Sequence, residues 1–301
     1  MSGEARAQQK DEHRKDQRQK LIARLRDEGA EDLAEPIEAC GLPVMLTCTC
    51  CGQNKETHTH CQKRWCPVCA PMLSAKRFTR WAHAIGKLQW PLFITLTIPN
   101  SEDPECLRHL KDAWAKFRRR KIIASRVSGG VATFEVTNKG EGWHPHIHAV
   151  VDCEWLSVHV PPPLRWETKA VKKQKGEHAQ KELSTAWAEQ IGNPIGVVYV
   201  RRVYGTGVVQ EILKYAVKSS DLIESPDPIA PMLRVLRQTR TLSGFGTLHP
   251  LPSPDEEEPM IVACDSCGAE KSFMPDELVK FFAPINIPGM QGRTLTPTKH
   301  Q

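Results

Sequence analysis

The sequence predicts an α+β fold built on an antiparallel sheet, and three patterns carry this prediction. Residues 90–99 alternate between the two faces of a strand. Two further strand-like runs, 131–137 and 144–151, flank a spacer rich in turn residues, which indicates a hairpin. Residues 107–123 and 208–219 have helical periodicity. We therefore expect a sheet that contains the hairpin, with helices on one of its faces.

Shifts in composition divide the chain into four predicted segments. They are a charged helical arm, a zinc-binding cysteine block, the central α+β domain, and a proline-rich linker with a small tail. Their bounds are 1–39, 40–72, 73–224 and 225–301. Further helices are predicted at 9–34, at 75–88 and in a polar stretch that ends near Ile191, and a further strand at 197–203.

Composition favours a nucleic-acid partner. The chain has 301 residues, of which 40% are hydrophobic and 25% charged, and no apolar run approaches the ~20 residues that span a bilayer. We therefore expect a cytoplasmic protein without a membrane partner. The net charge is +6, and residues 71–130 contain 12 Lys/Arg against 4 Asp/Glu. A basic middle section is typical of proteins that bind a polyanion such as DNA.

The eleven cysteines indicate metal binding, because the cytosol keeps thiols reduced. Two knuckles, Cys48 with Cys51 and Cys66 with Cys69, are separated by 14 residues. At this spacing two turns can place four thiolates around zinc at ~2.3 Å. Cys61 allows a second grouping, in which it joins Cys51, Cys66 and Cys69. Spacing does not choose between these sets, and we expect a structural zinc from either.

A further knuckle, Cys264 with Cys267, lies near the end of the chain. Because half a site needs two more ligands, this pair is a second zinc knuckle only if the amino-terminal block or another chain completes it. Cys106 and Cys153 stand alone and are predicted to be small core residues.

The hairpin carries a histidine motif, HPHIH, at residues 144–148. His146 and His148 share one strand face, because side chains alternate along a strand. With the turn centred near Gly140, we expect Glu135 opposite His146, where paired Cβ atoms lie ~4.5–5.5 Å apart. Two imidazoles and a carboxylate with open positions can hold a catalytic divalent ion. Nitrogen and oxygen donors together admit magnesium or manganese.

A second candidate site lies on the predicted helix 208–219. There Glu211, Tyr215 and Lys218 share one face at positions i, i+4 and i+7. Tyrosine can attack phosphorus covalently, but its pKa of ~10 requires a cation or a polarised phosphate nearby. The stripe is a candidate catalytic face, although the same pattern is also typical of a solvated helix surface.

Three segments in this order resemble the three motifs of HUH endonucleases, particularly the single-tyrosine initiators of rolling-circle replication in small bacterial plasmids. They are FITLT at 93–97, GWHPHIH at 142–148 and EILKYAVK at 211–218. The segment CQKRWCPVC at 61–69 is similar to the cysteine cluster that precedes the first motif in that family. The resemblance covers about residues 48–220.

The resemblance implies a sheet of about five strands and an enzyme that nicks single-stranded or extruded origin DNA. The implied metal ligands are His146, His148 and Glu135. Tyr215 would be the nucleophile that forms a 5′-phosphotyrosine bond, and Lys218 would assist at the phosphate. Glu211 matches the acid that activates water in the closing step. The family further implies a host helicase and a host DNA polymerase as partners.

Other interpretations stay open. A relaxase has its tyrosine before the histidine motif, whereas Tyr215 follows it. A two-tyrosine transposase needs a second tyrosine on the same helix, and the remaining ones, Tyr199 and Tyr204, lie outside it. A non-catalytic zinc-ribbon DNA-binding protein would account for the cysteines and the basic charge, but not for the histidine motif.

Overall fold

The computed structural model describes residues 3–47, 51–203, 212, 222–249, 260–263, 266–267 and 270–273. The chain divides into two compact units. The larger comprises Met1–Glu38 and Cys61–Pro254, and the smaller Ala39–His60 and Asp255–Gln301.

The described helices of the larger unit are α1 (Gly3–Asp27), α2 (Glu31–Glu38), α3 (Cys69–Gly86), α4 (Cys106–Phe117), α5 (Lys121–Ala124), α6 (Lys169–Ile191) and α7 (Ala230–Gln238). Its described strands are β3 (Pro91–Thr97), β4 (Gly129–Asn138), β5 (Trp143–Asp152), β6 (Val198–Arg202) and β7 (Leu242–Gly246). The smaller unit contains two hairpins, formed by β1 (Pro43–Thr47) with β2 (Asn54–His58) and by β8 (Met260–Ala263) with β9 (Glu270–Phe273).

The larger unit is organised around one antiparallel sheet of five strands in the order β6-β3-β5-β4-β7. The predicted α+β class is thereby confirmed. Strands β4 and β5 form the predicted hairpin, closed by the pair Asn138 and Trp143. Gly140 and Gly142 have φ of 106° and 81°, a conformation that glycine adopts without steric cost. This turn fixes the register of the histidine motif.

Helices contact both faces of the sheet. α4 contacts β4 and β5, and the ring of Phe117 meets that of Trp187 from α6 at 5.1 Å between centroids. On the opposite face, Trp81 of α3 lies in one buried cluster with Val131 and Val150. The prediction of helices on one face is therefore incomplete. Strands β4 and β5 have buried residues on both faces of the sheet, so other elements must cover both faces.

The charged arm is part of the larger unit rather than a separate segment. Arg24 of α1 donates hydrogen bonds of 2.7 Å to the carbonyl oxygens of Ile223 and Asp227. The Glu28 carboxylate accepts from the first amides of α7, at 2.7 Å from Ala230. The one predicted helix is two, because Gly29, at φ 66°, separates α1 from α2.

Residues beyond 224 complete the sheet, which corrects the predicted boundary at that position. Strand β7 pairs with β4, from Gly129 opposite Gly246 to Thr133 opposite Leu242. Its sequence, LSGFG, contains two glycines and lacks the alternation that marks a strand. Trp81 explains one of them, since a Cβ on Gly244 would lie 2.9 Å from its ring.

The predicted helix 107–123 is divided into α4 and α5. Arg120, between them, has an extended backbone at φ −65° and ψ 144°. Its guanidinium donates to the Ala186 carbonyl at 2.8 Å and contacts Glu189, both on α6.

Among the described helices, none combines the length and the apolar character that a membrane crossing requires.

Candidate metal centre and cysteine cluster

Two neighbouring strands, β4 and β5, bring a carboxylate and two imidazoles together on one face of the sheet. Glu135 of β4 pairs directly with His146 of β5, the register expected from the sequence. His148 pairs with Thr133 on one side and with Thr95 of β3 on the other. Directly paired residues share a face, and side chains alternate along a strand with a period of two residues, so the sheet alone places these three side chains side by side.

The three side chains converge on one carboxylate oxygen. Glu135 Oε2 lies 3.1 Å from His146 Nε2 and 3.5 Å from His148 Nε2. Glu135 is 3% exposed and His148 7%. Two donors bound at ~2.1 Å and at right angles on an octahedral ion are ~3.0 Å apart, so the spacing suits a magnesium-type ion. The predicted set is therefore brought together, with one ligand atom each within 4.8 Å of the others.

Hydrogen bonds orient both imidazoles. His146 Nδ1 donates to the backbone carbonyl of His144 at 3.2 Å, which leaves its Nε2 with the lone pair. Thr95 Oγ1 lies 3.2 Å from His148 Nδ1, within hydrogen-bond distance, and holds the second ring in its orientation. The ring of Phe93 stacks on His148 at 5.5 Å. Such outer contacts fix the tautomer of a ligating histidine and raise its basicity.

The carboxylate of Glu135 is favoured in its ionised form at this centre. Burial acts to raise the pKa of Glu135, but hydrogen bonds and charge from His146 and His148 outweigh it, so the pKa lies below its usual range. At His144, burial and the neighbouring His146 and Lys139 lower the pKa of the imidazole. An ionised carboxylate beside two imidazoles is a donor set that suits a divalent cation.

One described residue connects the third motif to this centre. Ile212 is helical and fully buried, in the cluster that contains Phe93 and Val150. Its carbonyl oxygen accepts a hydrogen bond of 3.2 Å from the hydroxyl of Thr133, which lies directly opposite His148. The predicted catalytic residues Glu211, Tyr215 and Lys218 lie outside the described residues.

Strand β6 adds polar groups to the same face. Tyr199 pairs with Thr95, which pairs in turn with His148, so Tyr199 lies two strands from His148 on the same face. Its side chain is 51% exposed. Arg201 pairs with Phe93, and its guanidinium lies 4.8 Å from the ring centroid. A phenol and a guanidinium beside a candidate metal site suit contact with a phosphate chain. Sequence analysis had assigned no role to Arg201.

The cysteine segment contributes three clustered thiols to the larger unit. Cys61, Cys66 and Cys69 each have Sγ within 4.8 Å of the others, and Cys61 and Cys69 are 3.8 Å apart. Tetrahedral zinc with ~2.3 Å bonds separates its sulfurs by ~3.8 Å, so the thiols fit zinc. Three of the predicted zinc ligands are thus together, and a fourth donor is needed.

This segment is anchored by the contacts of a half-buried arginine. Arg64 donates to the carbonyl oxygens of Leu236 and Thr239 at 3.0 Å and contacts the hydroxyl of Thr241. These acceptors lie at the end of α7 and just before β7. Gln62 has φ 53°, a strained conformation for a residue other than glycine. The loop is thus connected to the end of α7 and to the segment that precedes β7.

The other predicted cysteine ligands are placed differently. Cys51 and Cys267 belong to the smaller unit and are exposed, and Cys48 and Cys264 lie outside the described residues. Cys40, which the motif spacing did not include, is buried in the smaller unit.

The basic run at residues 118–121 is used partly for packing. The Arg118 guanidinium lies 4.6 Å from the ring centroid of Phe245, and Arg120 is bonded to α6. Arg119 and Lys121 are exposed. Exposed cations are those that can neutralise phosphates, so this run offers fewer DNA contacts than its sequence indicates.

Comparison with known proteins gives one family. Residues 53–155, about a third of the chain, match the family model described as "Replication protein". The match contains the histidine motif, the thiols of Cys61, Cys66 and Cys69, and Glu135. The match agrees with the replication role that the motifs predict. No curated protein and no solved structure gave a match.

Proposed function

We propose that this protein initiates rolling-circle replication of a plasmid by nicking its origin through a covalent tyrosine intermediate. The observation that carries the proposal is the bond between Thr133 and Ile212, because it ties the third motif to the metal centre. Tyr215 is three residues from Ile212, and three residues span at most ~11 Å. The family match independently supports the replicative role.

The ligands of the proposed metal are His146, His148 and Glu135, whose nitrogen and oxygen atoms already face one another. A magnesium or manganese ion held there would polarise the scissile phosphate and neutralise charge as it develops. Phe93 and Thr95 hold the His148 ring in its ligating orientation.

In the opening step, the Tyr215 oxygen attacks phosphorus in line with the bond to the 3′ oxygen. That bond breaks, the phenol proton is released, and the leaving oxygen takes up a proton to become a free 3′-OH. Lys218 contributes positive charge at the phosphate. The products are a 5′-phosphotyrosyl protein and a 3′ end that a host polymerase, with a host helicase, would extend.

In the closing step, Glu211 acts as general base for a water molecule that attacks the phosphotyrosine. It adjoins Ile212 in the chain and so lies on the same tethered segment. An acid in this role makes a second catalytic tyrosine unnecessary. The origin DNA would be bound in single-stranded or extruded form, with phosphate contacts supplying most of the affinity.

The structural role of the thiol cluster is proposed separately. Cys61, Cys66 and Cys69, with a fourth thiolate, would bind zinc that stabilises the loop ahead of α3 and has no part in the reaction. The half-buried contacts of Arg64 support a structural role, because they connect this loop to the end of α7 and the residue that follows it.

The test uses labelled single-stranded fragments of the protein's own replicon and Mn²⁺. Wild-type protein should form a covalent adduct, and Tyr215→Phe should not, with DNA affinity nearly unchanged. Tyr199→Phe is the matched control, because Tyr199 lies on the metal-bearing face of the sheet and should be dispensable. Glu135→Gln should bind DNA and zinc but form no adduct.

Chelation separates the two metals. A chelator should stop nicking while the thiol-bound zinc remains, since thiolates hold zinc more tightly than a mixed nitrogen and oxygen site holds magnesium.

An adduct that persists in Tyr215→Phe would refute the assigned nucleophile. DNA binding without any adduct in the wild type would favour the non-catalytic alternative.

A further inference from the structure

The segment between β5 and α6 carries the most exposed aromatic side chain among the described residues. Trp166 is 81% exposed, whereas Tyr199, the next aromatic residue in this order, is 51% exposed. Leu164 and Val171, which are close to Trp166 in the chain, are also exposed. Several large apolar side chains left in water within one short segment are typical of a surface that binds a partner.

The same segment is strongly basic. Residues 161–176 contain five Lys/Arg and one acidic residue, Glu167. Arg165, Lys169 and Lys173 are exposed. Lys173 lies 3.7 Å from Glu177, but these side chains are 79% and 66% exposed, and such a pair contributes little and leaves the ammonium available to a phosphate.

Contacts with α6 hold this segment in place. Lys175 Nζ lies 2.6 Å from Glu167 Oε1, and both side chains are only 17% exposed. The Leu164 amide donates to Glu167 Oε2 at 2.9 Å, and Lys172 donates to the Arg165 carbonyl at 2.9 Å. The acidic residue of the segment is thereby neutralised, while the chain on both sides of Trp166 is fixed. A ring presented on a fixed segment loses little conformational freedom when it binds.

The surface lies far from the candidate metal centre. Trp187, near the other end of α6, donates to the Thr97 carbonyl at 2.7 Å, and Thr97 pairs with His146. From Trp187 back to Lys169, α6 is ~27 Å long at ~1.5 Å per residue. A strand with the ~3.4 Å spacing of a duplex covers ~27 Å with ~8 nucleotides, and a more extended strand needs fewer. DNA bound here therefore lies outside the nicking position.

We infer that Arg165, Trp166, Lys169 and Lys173 form a second contact surface for single-stranded DNA, several nucleotides away from the phosphate that is cut. Trp166 stacks on a base, and the three cations neutralise phosphates, which is how proteins bind single strands without reading their sequence. The inference rests on the proposed function for the identity of the DNA, but it assigns affinity and not chemistry to these residues. The surface also lies beyond residues 53–155, which match the replication-protein family.

The composition of α6 favours DNA over a membrane surface as the partner. A helix that lies in a membrane interface needs a continuous apolar face. The first two turns of α6, residues 169–176, contain Val171 as their one large apolar residue. The buried residues of this helix, Ala179, Leu183 and Trp187, lie further along it and face the protein.

The test measures the affinity of the full-length protein for two single-stranded fragments of its own replicon, without added divalent metal. The short fragment is confined to the nicking position, and the long one extends beyond it by more than ~8 nucleotides on both sides. Trp166→Ala should weaken binding of the long fragment ~5–150-fold, the value of one stacked base, and leave the short fragment unaffected. Trp166→Phe is the matched control, because it keeps an aromatic ring.

Salt dependence tests the cations separately. For the long fragment, R165Q/K169Q/K173Q should reduce the slope of log K against log salt by ~2, since each neutralised phosphate of a single strand contributes ~0.7. The control K10Q/K15Q/K20Q removes the same charge from exposed lysines of α1 and should leave the slope unchanged.

Equal affinity of Trp166→Ala and wild type for the long fragment, or an equal loss for the short fragment, would overturn the inference. A loss confined to duplex DNA or to anionic vesicles would also overturn it, because the surface would then bind a different partner. Trp166→Ala should nick the short fragment as the wild type does. A wild type that binds both fragments but forms no adduct would contradict the proposed nicking and not this contact surface.

Discussion

The hydroxyl of Thr95 is predicted to control the affinity of the catalytic metal. Thr95→Val replaces it with a methyl group of similar size, in a central strand that favours valine. The hydroxyl lies 3.2 Å from His148 Nδ1, and His148 is only 7% exposed, so water has little access to replace it. The variant therefore leaves a buried ring nitrogen without this contact.

The size of the effect follows from that loss. An unsatisfied buried donor costs about 1–3 kcal/mol, and loss of an outer-shell partner weakens metal binding about 10–100-fold. The two estimates agree, because 10–100-fold corresponds to about 1.4–2.7 kcal/mol. We expect the Kd for Mn²⁺ to rise by this factor while DNA affinity and zinc content stay unchanged.

The assay is a Mn²⁺ titration of full-length, zinc-loaded protein, followed by the electron paramagnetic resonance signal of free Mn²⁺. Thr137→Val is the matched control, because Thr137 lies on the same face of β4 but pairs with His144 rather than with a predicted ligand. An unchanged Kd in Thr95→Val, or an equal loss in Thr137→Val, would refute the role of this contact.

Three further predictions concern the closing step, the zinc loop and the sheet. Glu211→Ala should form the covalent adduct at a near-normal rate but accumulate it and produce overlong displaced strands, whereas termination equal to wild type would make Glu211 a surface residue. Cys66→Ser should lower zinc content and the yield of folded protein, and a well-folded variant without zinc would contradict a structural site. Gly244→Ala should destabilise the protein by about 1–3 kcal/mol in thermal unfolding, because its Cβ would press on Trp81 and on the Leu248 carbonyl. Gly176→Ala, in open space on α6, is the control and should not destabilise.

Local patterns were sufficient to predict the hairpin that carries the candidate metal ligands. The period of two along β4 and β5, together with the turn near Gly140, determined that Glu135 pairs with His146. The same alternation placed Thr95 on one face of β3. It could not show that β3 lies beside β5, since strand order depends on contacts that are distant in sequence. The contact between Thr95 and His148 was therefore found only in the structure.

Other features were missed for identifiable physical reasons. Strand β7 has glycine at two of five positions, which the packing of Trp81 and the close approach of Ser128 and Gly129 require. Its sequence is therefore depleted of the β-branched residues that mark a strand. Cysteine spacing was equally compatible with several ligand sets, because a thiolate pair has the same spacing whichever pair it joins.

The central claim is that Tyr215 becomes covalently attached to DNA, and peptide mapping of the adduct tests it most directly. Trypsin cleaves after Arg201, Arg202, Lys214 and Lys218, so Tyr199, Tyr204 and Tyr215 fall in three different peptides. After nuclease treatment, the residual 5′-nucleotide should be found on the peptide 215–218, or on 203–218 with fragment ions that locate it on Tyr215. A nucleotide on Tyr199 or Tyr204, or on no tyrosine, would contradict the proposed mechanism.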